Sequence, residues 1–154
     1  MAALDPSQEL TLSIEKDPKK EDIDAVCRGL HEFNLLHAPD DDHQTLTILL
    51  RDPQGKILAG LLGDTYWGWL YVSIFWVDAS IRGQGKGRML LHAAEQEAIR
   101  RGCHSAHLDT MSFQALPFYE KEGYRVFGVL DDLPKGHQQI FMYKKFENIT
   151  KIPD

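Results

Sequence analysis

Cysteine is scarce in this chain: Cys27 and Cys103 are the only two in 154 residues. They stand far apart, with neither a metal-ligand nor a redox spacing. That excludes a disulfide framework and suits a reducing, cytoplasmic setting in which each thiol is a small core residue. The seven histidines are scattered, with no H-E-x-x-H and no Cys/His cluster, so no metal is expected. Basic charge is also short: 17 Lys and Arg stand against 23 Asp and Glu, a formal net charge of −6. Nucleic acid and anionic membranes need a basic footprint that is missing here, while a cationic or amine-bearing partner is favoured. No apolar run approaches the length of a membrane span, and no basic segment followed by an apolar stretch suggests a secretory leader. Repeats and low-complexity tracts are absent. The 43% apolar and 26% charged content is that of an ordinary globular protein. The length predicts a single domain over 1–154, able to bury about 70% of its unfolded surface.

The hydrophobic pattern alternates between strand and helix periods. Leu10 to Glu15 alternates apolar and polar and predicts a short strand. Asp17-Pro18 offers a helix start, and Ile23, Val26, Cys27, Leu30 and Phe33 recur at helical spacing up to Asn34 and His37. Pro39 and three successive aspartates end that helix. Thr45–Arg51 and Ile57–Leu62 predict a hairpin around Asp52-Pro53-Gln54-Gly55. Gly63 to Gly68 reads as a connection to a strand over Trp69–Val77. Met89–Arg101 predicts an amphipathic helix with Leu90, Leu91, Ala94 and Ala98 on one face and Glu95, Gln96 and Arg100 opposite. Ser105–Thr110, Tyr124–Leu130 and Gln138–Phe146 predict strands, and Gln114–Glu122 a short helix closed by Gly123. The residues alone give an α/β protein with a mixed sheet.

One segment carries chemistry. Between the strand ending at Val77 and the following helix lies Asp78-Ala-Ser-Ile-Arg-Gly-Gln-Gly-Lys-Gly-Arg88. Glycines admit close backbone approach to a ligand, and the first amides of a helix are unpaired donors at the positive end of the dipole. Phosphate groups bind at such places. A Walker loop fails because Lys86 is followed by Gly87 rather than Ser or Thr. A dinucleotide fingerprint fails on the spacing Gly83, Gly85, Gly87 and on its position in mid-chain. The pattern Arg/Gln-x-x-Gly-x-Gly/Ala is met by Arg82, Gly85 and Gly87. It resembles the signature with which the GNAT superfamily of N-acetyltransferases cradles the pyrophosphate of coenzyme A.

A second segment, SFQALPFYEKEGY over 112–124, resembles the C-terminal element of the same superfamily, with Ala115, Phe118, Tyr119, Glu120, Lys121, Gly123 and Tyr124 in place. The two motifs stand in the family's order, with room between them for one helix, one strand and one turn. The resemblance covers roughly Leu46 to Phe146. It implies a mixed, mostly antiparallel central sheet flanked by helices, with splayed central strands and the order β-α-β-β-β-α-β-α-β-β.

The resemblance also implies roles. Gly83, Gln84, Gly85, Lys86, Gly87 and Arg88 would hold the pyrophosphate with Arg82, and Phe75, Trp76 and Val77 would pair with the pantetheine arm along a free strand edge. Ser112 stands where many relatives carry an asparagine that touches the cofactor. Tyr119 matches the tyrosine that protonates the leaving thiolate, and the Val77 N–H is a candidate oxyanion donor. The base is less clear, because neither strand position that often carries Glu in this family does so here. His107 and Asp109, two apart and hence on one strand face, can serve as base or as base and orienter; equally, they can be a surface histidine and a turn-capping acid. His137, in the loop joining the last strands, is a second candidate base or acceptor contact. The acceptor is expected near Asn34, His37 and Trp67, with Asp64, Tyr66 and Trp69 close in sequence. Trp67-Gly68-Trp69 beside an acid can hold a cation or can be core.

The leading expectation is an acetyl-CoA-dependent N-acetyltransferase acting on a primary amine by direct attack, without metal. No covalent intermediate is expected, since neither cysteine lies near the motifs. An alternative is a non-catalytic coenzyme A-binding module on the same fold. An ATP-binding protein is disfavoured by the missing Mg²⁺-ligating Ser or Thr after Lys86. A homodimer is a common arrangement in the superfamily. Nothing in the residues identifies the acceptor.

Overall fold

A computed structural model describes residues 10–147. The described residues divide into two compact units, with the division between Asp40 and Asp41.

In the first unit one helix, α1 (Lys20–Leu35), begins two residues later than Asp17-Pro18 suggests, with Lys19 extended as its N-cap and no side-chain cap. Glu21 and Asp22 lie in its first turn, where they complement the helix dipole. The chain leaves the helix through Asn34, whose carbonyl accepts from the amides of His37 and Ala38. The strand expected over Leu10–Glu15 does not form. Alternation alone makes no strand; ladder partners for the N–H and C=O groups are also needed.

The second unit is built on a six-stranded sheet in the order β1-β2-β3-β4-β6-β5. β1 (Gln44–Arg51) and β2 (Ile57–Tyr66) form the expected hairpin. Asp52 organises its turn: Oδ1 accepts from the amides of Gln54 and Lys56. β2 runs on through Gly63 to Tyr66, so the connection to β3 (Trp69–Val77) is only Trp67-Gly68. Both residues have positive φ, 43° and 75°, which matches the twist of a two-residue hairpin. β3 pairs with β4 (Ser105–Met111) in parallel, and β4 with β6 (Gln138–Lys145) and β6 with β5 (Arg125–Asp131) antiparallel.

Two helices complete this unit. α2 (Lys86–Arg100) starts one turn earlier than the apolar pattern suggests, because Gly85, left-handed at φ 74°, is its N-cap. That places Gly87 inside the first turn. The buried face of α2 is Leu90, Leu91, Ala94, Glu95 and Ala98. It covers the β1–β3 side of the sheet and meets Leu61, Leu70 and Leu108 in the core. Glu95, expected on the outer face, is 6% exposed. Its carboxylate is neutralised by Lys144 Nζ at 2.9 Å to both oxygens and accepts from the Tyr124 hydroxyl at 3.0 Å. The short α3 (Leu116–Lys121) follows β4, with Pro117 in its first turn. No helix among the described residues is long and apolar enough to cross a membrane.

Candidate active site

The site is made by a sheet that stops pairing. β3 and β4 are in register from Trp69↔Ser105 to Val72↔Leu108 and no further, so Ser73–Val77 diverges from Asp109–Met111. A bulge on the other side of β3 accompanies this. Leu62 pairs with Ile74 but Gly63 with Val72, leaving Ser73 extra, and the Ser73 hydroxyl donates to the Leu62 carbonyl at 3.0 Å. Such a bulge bends its strand and sharpens its twist. Gly63 is required there, since a Cβ would lie 2.2 Å from the Tyr71 carbonyl oxygen.

The diverging end of β3 keeps an unpaired edge. The Asp78 amide donates to Leu58 O on the β2 side. Peptide groups alternate in direction along a strand, so the N–H groups of Val77 and Phe75 face the opening. Arg82 Nε donates to the Val77 carbonyl at 2.9 Å and leaves the Val77 amide uncovered. Beyond Val77, the Asp78 side chain accepts from Ser80 N at 2.9 Å and starts a single 3-10 turn, Ala79–Ile81. Gly83 and Gly85 then turn the chain at φ 72° and 74°, a region that costs other residues about 1–2 kcal/mol. Residues 82–85 form a turn, and among the described residues the backbone amides of 83–88 make no well-formed hydrogen bond to a carbonyl. Backbone amides at a glycine turn and a helix N-terminus are an arrangement suited to an anion.

These parts line one cavity of about 680 Å³. Phe75, Trp76 and Val77 form one wall, Arg82, Gly83, Gly85, Lys86, Gly87 and Arg88 the glycine end, and Tyr119 the far wall. Gly87 packs at that end against Phe75 and Phe118, whose ring atoms would meet a Cβ at 3.7 Å. Gln84, expected among the contacts, is not in the lining; its side-chain amide donates to Ser80 O at 3.3 Å. Ser112 is outside the lining as well. Its hydroxyl oxygen accepts from Gln138 N at 3.1 Å and ties β4 to β6. Gln114, which sequence reasoning passed over, takes a place in the wall, its Oε1 fixed by Met111 N at 2.9 Å and Thr110 Oγ1 at 3.2 Å. Glu122 is the acid of the lining and holds His92 at 2.8 Å and Arg88 at 3.4 Å.

Tyr119 is 6% exposed, yet its hydroxyl has no hydrogen-bond partner among the described residues and is not a sealed polar atom. It therefore opens into the cavity. Burial, assisted by the negative charge of Asp109, pushes its pKa up to about 12. The phenol keeps its proton at neutral pH and can donate it.

His107 and Asp109 lie on the other face. Ala106 and Leu108 point into the core, and alternation turns His107 and Asp109 away from it. Tyr66 Oη and His107 Nε2 share a hydrogen bond of 2.8 Å, and the Tyr71 ring stacks on the imidazole at 4.8 Å. Burial lowers the His107 pKa against the opposing pull of Asp109, so the ring is neutral near pH 7. Asp109 accepts from Gln139 Nε2 at 2.7 Å. It sits one residue past the last β3–β4 pair, where the sheet opens, and its charge acts on both Tyr119 and His107. A second cavity, about 440 Å³, borders His107 and is walled by Tyr66, Trp69, Phe127 and Tyr143. Phe127 and Tyr143 gave no motif signal; only their strand alternation aims them to this face.

The other expected acceptor residues line neither cavity. Trp67 is in the β2–β3 turn, its amide donating to Asp41 O at 2.8 Å. His137 lies outside both linings, its ring edge-on to Phe113 at 4.8 Å. Asn34 and His37 belong to the first unit, where the His37 ring lies 4.7 Å from that of Phe33. Among the described residues there is no group of His, Cys, Asp or Glu that could hold a metal ion.

Residues 11–124 match the model of the acetyltransferase (GNAT) family. The chain is 39% identical over 122 residues to an acetyltransferase of Agrobacterium fabrum, covering 79% of this chain and 89% of that protein. It is 40% identical over 84 residues to a blasticidin-S acetyltransferase of Streptomyces morookaense, covering 54% of this chain and 62% of the relative. Among solved structures, an acetyltransferase from Bacillus cereus superposes with a TM-score of 0.78 at 32% identity, covering 87% of this chain and 98% of that one.

Proposed function

Because the chain belongs to the GNAT family of acetyltransferases, we propose that it moves the acetyl group of acetyl-CoA to a primary amine by direct attack within a ternary complex. The observation that carries this reading is the single cavity joining a glycine turn suited to an anion, a free strand edge and the open hydroxyl of a buried tyrosine. Acetyl-CoA supplies, when bound, a thioester whose acetyl carbon accepts a nucleophile and whose sulfur departs as thiolate. The amides of 83–88, with Lys86 and Arg88, would hold its pyrophosphate; the edge from Phe75 to Val77 would hold its amide-bearing arm.

The residues then divide the proton work. Asp109 or His107 takes the proton that the amine must lose, directly or through water. The amine nitrogen bonds to the acetyl carbon as the carbon–sulfur bond breaks. The Val77 N–H stabilises the charge that grows on the carbonyl oxygen. Tyr119 gives its proton to the sulfur and regains one from solvent. Cys103 is buried with its thiol pKa raised by that burial, which argues against a covalent relay.

A panel of amines with acetyl-CoA, followed by release of free thiol, tests this. Thiol release that depends on both amine and acetyl-CoA, and an N-acetylated product, are expected. Tight acetyl-CoA binding without turnover of any amine would favour the non-catalytic coenzyme A-binding module.

A further inference from the structure

The cavity beside His107 has walls that are almost wholly aromatic. Tyr66, Trp69, His107, Phe127 and Tyr143 surround about 440 Å³. The rings are mutually braced: Trp69 lies 5.9 Å and Tyr66 6.1 Å from the imidazole, and Phe127 lies 6.0 Å from Tyr143. Its polar capacity is already used in part, since Tyr66 Oη and His107 Nε2 hold each other at 2.8 Å. One edge differs. Asp109, on the same face two residues beyond His107, marks the point where β3 and β4 part, and pairs with no cation among the described residues.

Resting on the acetyltransferase reading above, we infer that this cavity receives the acceptor and selects an arylalkylamine, a primary amine a short chain away from one flat aromatic ring. The ring fills the aromatic box, where edge and stacking contacts are favourable. The amine lies toward Asp109 and the opening between β3 and β4. A hydroxyl-rich aminosugar would bury polar groups without partners, at a cost for each. The walls carry no carboxylate, and of the two acids near this face Asp64 is already held by His43 Nε2 at 3.0 Å, so the further charges of a polyamine would lack partners. The volume suits one ring with a short chain.

The test compares phenethylamine, spermidine and glucosamine as acceptors at saturating acetyl-CoA, in the wild type and in Phe127→Ala. Phe127 is 60% exposed on β5, so its loss leaves the fold intact. Phenethylamine should exceed the other two in kcat/KM by about tenfold or more. Phe127→Ala should raise the KM for phenethylamine severalfold while acetyl-CoA affinity, read separately by calorimetry, stays unchanged. Preference for spermidine or glucosamine, turnover of none of the three by protein that binds acetyl-CoA, or indifference of the phenethylamine KM to Phe127→Ala overturns the inference. Failure to bind acetyl-CoA at all instead overturns the acetyltransferase reading beneath it.

Discussion

Tyr66 and His107 bind each other at 2.8 Å and thereby tie β2 to β4 over the face of β3. The bond sits where the sheet is still continuous, just before β3 and β4 part. It fixes the imidazole between the Tyr71 ring and the aromatic cavity, and it sets the first prediction. Burial holds the His107 pKa below the ordinary 6.5. The folded protein therefore binds fewer protons than the unfolded chain as pH falls past that value. The stability from a neutral His107 is complete above 6.5 and is lost as pH falls through the lowered folded value. Denaturant melts from about pH 7 to about pH 5 should show this loss, and His107→Gln should remove that part of the slope.

Tyr119→Phe should lower kcat by about a hundredfold or more, the usual weight of a positioned acid, with little change in acetyl-CoA affinity. The ring stays, so the core contacts with Phe75 and Tyr124 are kept. Because burial pushes its pKa up to about 12, the hydroxyl stays protonated through the working range and contributes no alkaline limb to the rate profile. Steady-state kinetics in both substrates separates these effects.

Gly63→Ala should destabilise the protein by about 1–3 kcal/mol, as overpacking does. Its Cβ would press on the Tyr71 carbonyl at the bulge, so a backbone must move. Thermal melts read the loss.

Lys144→Met should cost about 3–5 kcal/mol, because it strands the carboxylate of Glu95 in the core. A double variant with Glu95→Gln should recover much of that loss. If the single variant is as stable as the wild type, the ion pair contributes nothing to the fold.

Much of this was legible in the residues where local chemistry decides. The turn at Asp52–Gly55 and the strand Trp69–Val77 are set by short-range patterns, and both form where expected, whereas the helix after the glycine turn begins at Lys86 rather than Met89. The strand over Leu10–Glu15 failed because a period-2 pattern says nothing about a partner strand. Glu95 was misplaced because a charge on an amphipathic helix is assigned to solvent unless its neutralising partner is known, and Lys144 is 49 residues away. The aromatic cavity was illegible for the same reason: Tyr66, His107, Phe127 and Tyr143 come from four strands, and only the sheet order β2-β3-β4-β6-β5 gathers them. His107 and Asp109 do share a strand face, but that face is turned away from the core in which Tyr119 is packed.

The central claim is that the cradle of 83–88 holds acetyl-CoA, and its most direct test is calorimetric titration of acetyl-CoA into the wild type and Gly87→Glu. The new side chain would start 3.7 Å from Phe75 and Phe118, ordinary contact distance, and bring a carboxylate into the phosphate end of the cavity. Saturable binding by the wild type, lost in a variant that still melts cooperatively, is the result expected. No heat with acetyl-CoA in the wild type, or equal binding by both proteins, would contradict it.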